Sequence, residues 1–385
     1  MPDFLRPLID AAAAIALAFA LLCVLAVDYF FLGVSGPGVN TLQANVIKTK
    51  FRDPKKLRLA VTPSASFPPD PFTKKPGPKW DDMGKLLTEM GDGYKFEVLP
   101  IQDIFLNPKK LNDYDVVFFT CASGGLELKN ALVEYVSNGG ILYASDWRYD
   151  AIAAAFPDMV SQKYVANGAK QELNADIVDP ALCEVLESDK IHLKFDIGEW
   201  KSAAFAGPRV KPLIQGRFKK FNAESEIVEA PLMVRFSMGK GTVIFTSFHN
   251  EKQNSAVETK LLKYIVFSLV TAGVDADVSD KLEKGGFAPQ KSNLLSTPKR
   301  GNTIEKKYTN KSQCDLRFVL GFRNEGAELR FRIVSPDGKQ FTADLESTAI
   351  VEVPGAIPGE WTYSVTDIHL PYENFPFTVT VGEKR

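Results

Sequence analysis

Residues 111–156 read LNDYDVVFFTCASGGLELKNALVEYVSNGGILYASDWRYDAIAAAF, and the fold follows from this stretch. Residues 115–120 form a short aromatic and β-branched run bounded by polar residues, the signature of a buried strand. Over 127–137, Leu128, Ala131, Leu132, Tyr135 and Val136 recur at helical spacing. Asn138-Gly139-Gly140 then stops that helix, because glycine adopts the left-handed conformation a helix end needs. Residues 141–144 are the next strand. Strand, helix and strand in so few residues make a right-handed parallel crossover. In such sheets chemistry sits at the carboxyl ends of the strands. Here those ends are Cys121-Ala122-Ser123-Gly124-Gly125 and Ser145-Asp146-Trp147.

Working outward, 57–62 and 94–99 read as strands and 80–90 as a helix. Between the first strand and that helix, Pro63, Pro68, Pro69, Pro71, Pro76 and Pro78 exclude regular structure. A further helix is expected around 151–156 and another near 180–187, while 158–229 shows little clear periodicity beyond an alternating stretch at 190–195. Residues 231–237 and 241–247 read as strands joined by Met238-Gly239-Lys240. Leu261, Leu262, Ile265, Leu269 and Val270 share one face of a helix over 258–271.

Upstream, residues 11–27 carry no charge, and past Asp28 the apolar run resumes over 29–34. About 24 helical residues span roughly 36 Å, enough to cross a bilayer. The rival is a cleaved signal peptide, but the run exceeds an h-region and no small-x-small site follows. The expected order is therefore a tail over 1–9, a single transmembrane helix over 10–34, and a polar spacer over 35–56. An α/β domain with a parallel, flavodoxin-like sheet is expected over 57–277. A polar and basic linker follows over 278–305. In 306–385 the grammar changes to short alternating runs separated by turns such as Ser335-Pro336-Asp337-Gly338, the pattern of a small all-β sandwich.

Composition narrows function. A net charge of −1 gives no basic field for nucleic acid. Cys23, Cys121, Cys183 and Cys314 are scattered without C-x-x-C spacing, and only His192, His249 and His369 occur, so no metal site, cofactor or disulfide framework is indicated. His192 and His369 carry no assigned role. Lys48, Lys50, Arg52, Lys55, Lys56 and Arg58 follow the apolar run and would place the large domain in the cytoplasm, but they begin at the limit of the rule's reach.

Residues 115–146 resemble the class I glutamine amidotransferase-like fold, in the branch that includes ThuA-like proteins. The carriers are a strand, a Gly-Gly loop, a helix ending Asn-Gly-Gly, and a strand ending at a sharp turn. Residues 239–249, GKGTVIFTSFH, resemble that fold's late hairpin, which delivers a histidine, here His249. The resemblance implies a cysteine at the corner after the fourth strand, facing a His-x-Glu pair. His249-x-Glu251 fits the pair; the corner reads Ala144-Ser145-Asp146-Trp147 and has no cysteine. Thiolate hydrolysis of glutamine, as that family performs it, is excluded. The expectation is a membrane-anchored, non-catalytic binding or scaffold protein with a protein partner or small ligand at Gly124, Gly125, Asp146, Trp147 and His249. The alternative is a hydrolase using Ser145, or Cys121, with His249 and Glu251. The tail, through Ser335–Gly338 and Pro358-Gly359-Glu360-Trp361-Thr362-Tyr363, resembles pre-peptidase C-terminal sandwiches. That resemblance implies an extracytoplasmic, for example periplasmic, location, with the cytoplasm as the alternative.

Overall fold

The computed structural model describes residues 41–48 and 57–384, apart from 67, 70, 76, 78, 123–124, 161–166, 203 and 299–300. The expected transmembrane stretch 10–34 lies outside these residues, as does Gly124. Among the described residues no helix is long and apolar enough to cross a membrane.

After a first short strand, β1 (Asn45–Lys48), the α/β domain runs through β2 (Leu59–Val61), α1 (Met83–Met90), β3 (Phe96–Val98), α2 (Ile101–Leu106), β4 (Val116–Phe119), α3 (Lys129–Ser137), β5 (Ile141–Ser145) and α4 (Tyr149–Ala155). It continues through β6 (Gln171–Ile177), α5 (Pro180–Leu186), β7 (Lys190–Phe195), β8 (Val210–Lys220), β9 (Ala223–Met238), β10 (Gly241–Thr246) and α6 (Ala256–Lys284). The sheet order is β3-β2-β4-β5-β10-β9-β8-β6-β7. The first five strands are parallel, in the flavodoxin-like order. The last four are antiparallel. The sheet is thus mixed rather than wholly parallel, because the tight β9–β10 turn reverses the chain. That turn needs Gly239 at φ +59°, where a Cβ would stand 2.4 Å from the Ser137 carbonyl oxygen.

Alternation along the parallel strands builds two cores. Leu59, Val61, Val116, Phe118, Ile141, Tyr143 and Ile244 face α1, α5 and α6. Ala60, Val117, Phe119, Leu142, Ala144, Val243 and Phe245 face the side of Ile104, Leu132, Val136 and Ile152. Strands covered on both faces are continuously apolar, which is why they were legible.

Beyond α6 lie β11 (Ala288–Thr297), β12 (Thr303–Asn310), β13 (Cys314–Phe322), β14 (Glu328–Val334), β15 (Gln340–Leu345), β16 (Ala349–Ala356), β17 (Gly359–His369) and β18 (Phe375–Lys384). They form a five-stranded sheet, β1-β16-β13-β18-β11, and a four-stranded one, β12-β17-β14-β15. Both sheets feed one apolar core: Leu316, Phe318, Val379 and Val381 from the first, Phe331, Ile333, Trp361 and Tyr363 from the second. Burying each such side chain favours folding by ~1.5–3 kcal/mol.

Two boundaries differ from expectation. Among the described residues of 278–305, expected as a linker, α6 continues to Lys284, and β11 and β12 follow. Both strands lie at sheet edges, where half the side chains meet water and need not be apolar. The spacer also contributes structure, since β1 pairs with β16 and Leu42 is buried in the C-terminal core.

Helix α6 ties the two regions together. A capping box starts it: the Ser255 hydroxyl accepts from the Glu258 amide at 3.2 Å, and Glu258 accepts from the Ser255 amide at 2.7 Å. Its first half buries Leu261, Ile265 and Leu269 against the nine-stranded sheet. Its end packs Val278 and Leu282 with Phe287, Val319 and Ile350. Nearby, Tyr94 donates to the Asn374 carbonyl at 2.6 Å, and the Asn374 amide donates to the Met90 carbonyl at 3.1 Å.

Candidate functional site

Three adjacent parallel strands, β4, β5 and β10, end side by side. Each delivers one polar side chain just past its carboxyl end: Cys121, Asp146 and His249. The loop after β2 adds Asp81 beneath them, and the loop after β7 adds Asp196 and Lys201.

The corner residue is Asp146. Pairing of β5 with β10 ends at Ser145–Thr246, and the chain then turns with Asp146 at φ +43°. A non-glycine residue there costs on the order of 1–3 kcal/mol, and aspartate is among the residues that tolerate it. The Asp146 side chain is 1% exposed and accepts three hydrogen bonds or close contacts. Oδ1 receives the Lys201 amide at 2.6 Å. Oδ2 lies 3.0 Å from His249 Nε2 and receives the Cys121 thiol at 3.6 Å. The other ring nitrogen, Nδ1, faces Asp196 at 3.7 Å.

Asp81 links the same strand ends from below. It accepts from the Ser145 hydroxyl at 2.5 Å, from the Asn250 amide at 3.3 Å and from the Cys121 amide at 3.5 Å. Its neighbour Asp82 caps α1 through the Lys85 amide. Behind the 121–125 loop, buried Arg148 donates to the Thr120 carbonyl at 2.9 Å, with its guanidinium 4.1 Å over the Phe119 ring.

Electrostatics favour a cationic ring. Burial opposes charge on His249, but the bonds with Asp146, Asp196 and Cys121 outweigh it, and its pKa stands well above 6.5. Burial pushes the Cys121 thiol up; contact with His249 pulls the other way without reversing it. Burial also raises Asp81, against the opposing pull of His249 and its hydrogen bonds. For Asp196, contact with His249 overcomes burial and holds the carboxyl low.

The residues read from sequence are only partly brought together. Ser145 precedes the corner in extended backbone and gives its hydroxyl to Asp81 rather than to His249. Glu251 faces Lys85 at 3.8 Å, and the carboxylate opposite His249 Nδ1 is Asp196. Gly125 sits at φ +92°, where a Cβ would lie 3.0 Å from Phe119 and 3.3 Å from Arg148, so packing accounts for it. Half-buried Trp147 lies beneath the Lys201 ammonium at 5.0 Å. Cys121, Asp146 and His249 do meet: their donor atoms all lie within 4.8 Å of one another, a set compatible with a metal ion that chain spacing concealed. Asp81, Asp196 and Lys201 were missed. Asp196 and Lys201 come from the aperiodic stretch; only the acid and glycine after the 190–195 run marked a loop there.

The segment carrying Asp196 and Lys201 covers the corner, fixed by Trp200 stacked 4.0 Å from Phe195. A cavity of about 530 Å³ opens elsewhere, lined by Leu57, Asp92, Lys95, Glu325 and Tyr372. Leu57 and Lys95 precede β2 and β3, so this cavity lies at the amino ends of the strands.

No protein-family model and no curated protein matches the chain. Solved structures do. A ThuA-like protein from Bacteroides uniformis is similar over 58% of this chain and 96% of its own, at 11% identity and a TM-score of 0.42. A cytoplasmic protein from Salmonella typhimurium matches over 54% of this chain and 98% of its own, at 15% identity and a TM-score of 0.36. A glutamine amidotransferase from Thermotoga maritima matches over 60% and 86%, at 14% identity and a TM-score of 0.32.

Proposed function

We propose that this chain is a non-catalytic binding or scaffold protein built on an amidotransferase-like cleft. Residues 10–34 anchor it in a membrane, and a pre-peptidase-type sandwich at its C-terminus lies outside the cytoplasm. One observation carries the reading of the cleft. The corner position holds Asp146, whose two carboxylate oxygens are already engaged by Lys201, His249 and Cys121. A nucleophile there needs a free lone pair and room for a carbonyl carbon; Asp146, Ser145 and Cys121 are all at most 1% exposed. The contacts with Asp146 and Asp196 also raise the His249 pKa, which disfavours the general-base role.

The second reading is a thiol hydrolase. It is favoured by the Cys121 thiol lying against the His249 ring while Asp196 faces the opposite nitrogen. Fluorophosphonate and iodoacetamide labelling of the purified native chain separates the two. The binding reading expects neither Ser145 nor Cys121 to be modified before unfolding; stoichiometric labelling of either would reject it. An alkaline phosphatase fusion after residue 384 tests the location, with activity expected from an extracytoplasmic end and none from a cytoplasmic one.

A further inference from the structure

We propose that Cys121, Asp146 and His249 together hold one divalent transition-metal cation of the zinc class. The inference deepens the reading of a non-catalytic binding cleft and rests on it, since it names the ligand of the same site.

The donor chemistry selects the ion. One thiol, one imidazole and one carboxylate form a mixed S, N, O set that suits zinc-like ions and disfavours magnesium or calcium, which take oxygen. Two donor edges can be compared with a metal site's geometry, and the whole set lies within 4.8 Å. Bonds of about 2.0–2.3 Å in a tetrahedron place neighbouring donor atoms roughly 3.3–3.6 Å apart. The carboxylate-to-sulfur edge is 3.6 Å and the carboxylate-to-imidazole edge 3.0 Å. The first already matches and the second opens by a few tenths of an ångström. The three donors come from just past the ends of neighbouring β4, β5 and β10, so the paired strands bring their three loops side by side.

The surroundings act on the donors as outer partners of a metal site do. The Lys201 amide holds Asp146 Oδ1, which leaves Oδ2, the oxygen nearest both His249 and Cys121, as the ligand atom. Asp196 stands at the ring nitrogen remote from the cluster, the position that fixes a ligating histidine's tautomer. Asp146 and Asp196 face the two nitrogens of one imidazole, so acceptor oxygens gather where a cation would sit. On binding, the ion displaces the thiol proton and the proton between His249 and Asp146, both released to solvent.

Cobalt(II) is the probe, because a thiolate ligand gives it a charge-transfer band that oxygen and nitrogen ligands do not. The full-length chain is stripped with chelator and titrated. One cobalt per chain with that band is expected, competed away by zinc. Cys121→Ser removes the band. Asp196→Asn, a change at a partly exposed side chain, keeps the fold and weakens binding about 10–100-fold. Glu251→Gln binds as the parent does. A folded parent chain without the band, or a band that survives in Cys121→Ser, overturns the proposal. Alkylation of Cys121 in the stripped native chain would instead overturn the non-catalytic reading, whatever the cobalt result.

Discussion

Two buried seams in this molecule are made from opposite materials. At the carboxyl ends of β4, β5 and β10, Asp81, Asp146, Cys121 and His249 meet with at most 5% exposure each. At the far end of α6, Val278, Leu282, Phe287, Val319 and Ile350 form an apolar cluster, with the Arg317 guanidinium at its rim, 4.0 Å over the Phe287 ring. The apolar seam stabilises simply by excluding water. The polar one costs desolvation and holds only while every charge keeps its partner. A fold retains such an expensive arrangement where a ligand or a specific geometry needs it, and the strained φ of Asp146 sits in that same seam.

The contrast breaks most sharply at His249. In His249→Leu the buried Asp146 loses its charged partner, and urea unfolding is expected to show a loss of ~3–5 kcal/mol. Leu282→Ala in the apolar seam is expected to cost about 3 kcal/mol through lost transfer energy and a cavity. The two losses differ in pH dependence. The His249 pKa is raised on folding, so its contribution is complete below the unfolded value of ~6.5 and fades as pH climbs through the folded one. In the chelated chain, the gap between parent and His249→Gln therefore narrows towards alkaline pH, whereas the Leu282→Ala gap stays flat. Smaller still, Tyr94→Phe removes the bond to the Asn374 carbonyl and costs about 1 kcal/mol, read as a thermal shift. Smallest is Glu251→Gln, within about 0.5 kcal/mol of the parent, because its ion pair with Lys85 is long and wet.

The same contrast explains what the sequence disclosed. β4, β5 and β10 are buried on both faces, so each reads as an uninterrupted apolar run. β11 and β12 are edge strands with half-exposed lysines, serines and threonines, and they read as a linker. The site was half visible. Strand ends pointed to Asp146 with His249, and to Cys121 with His249, but not to all three together. Their contact spans 25 and 103 residues of chain, which no local spacing rule detects. The corner was legible only as the stretch Ala144–Trp147; which residue turns it depends on where β5 stops pairing with β10, a fact of the sheet. Asp196 displaced Glu251 for a similar reason: the His-x-Glu spacing turns Glu251 towards Lys85, while a distant loop brings a carboxylate to the ring.

The most direct test is an NMR titration of the His249 imidazole in the chelated native chain, assigned by the resonance missing from His249→Gln. With only three histidines the spectrum is simple. A ring still protonated well above pH 6.5 is the expected result for an imidazolium held between Asp146 and Asp196. A midpoint at or below 6.5 would make His249 a neutral base beside Cys121 and contradict the account.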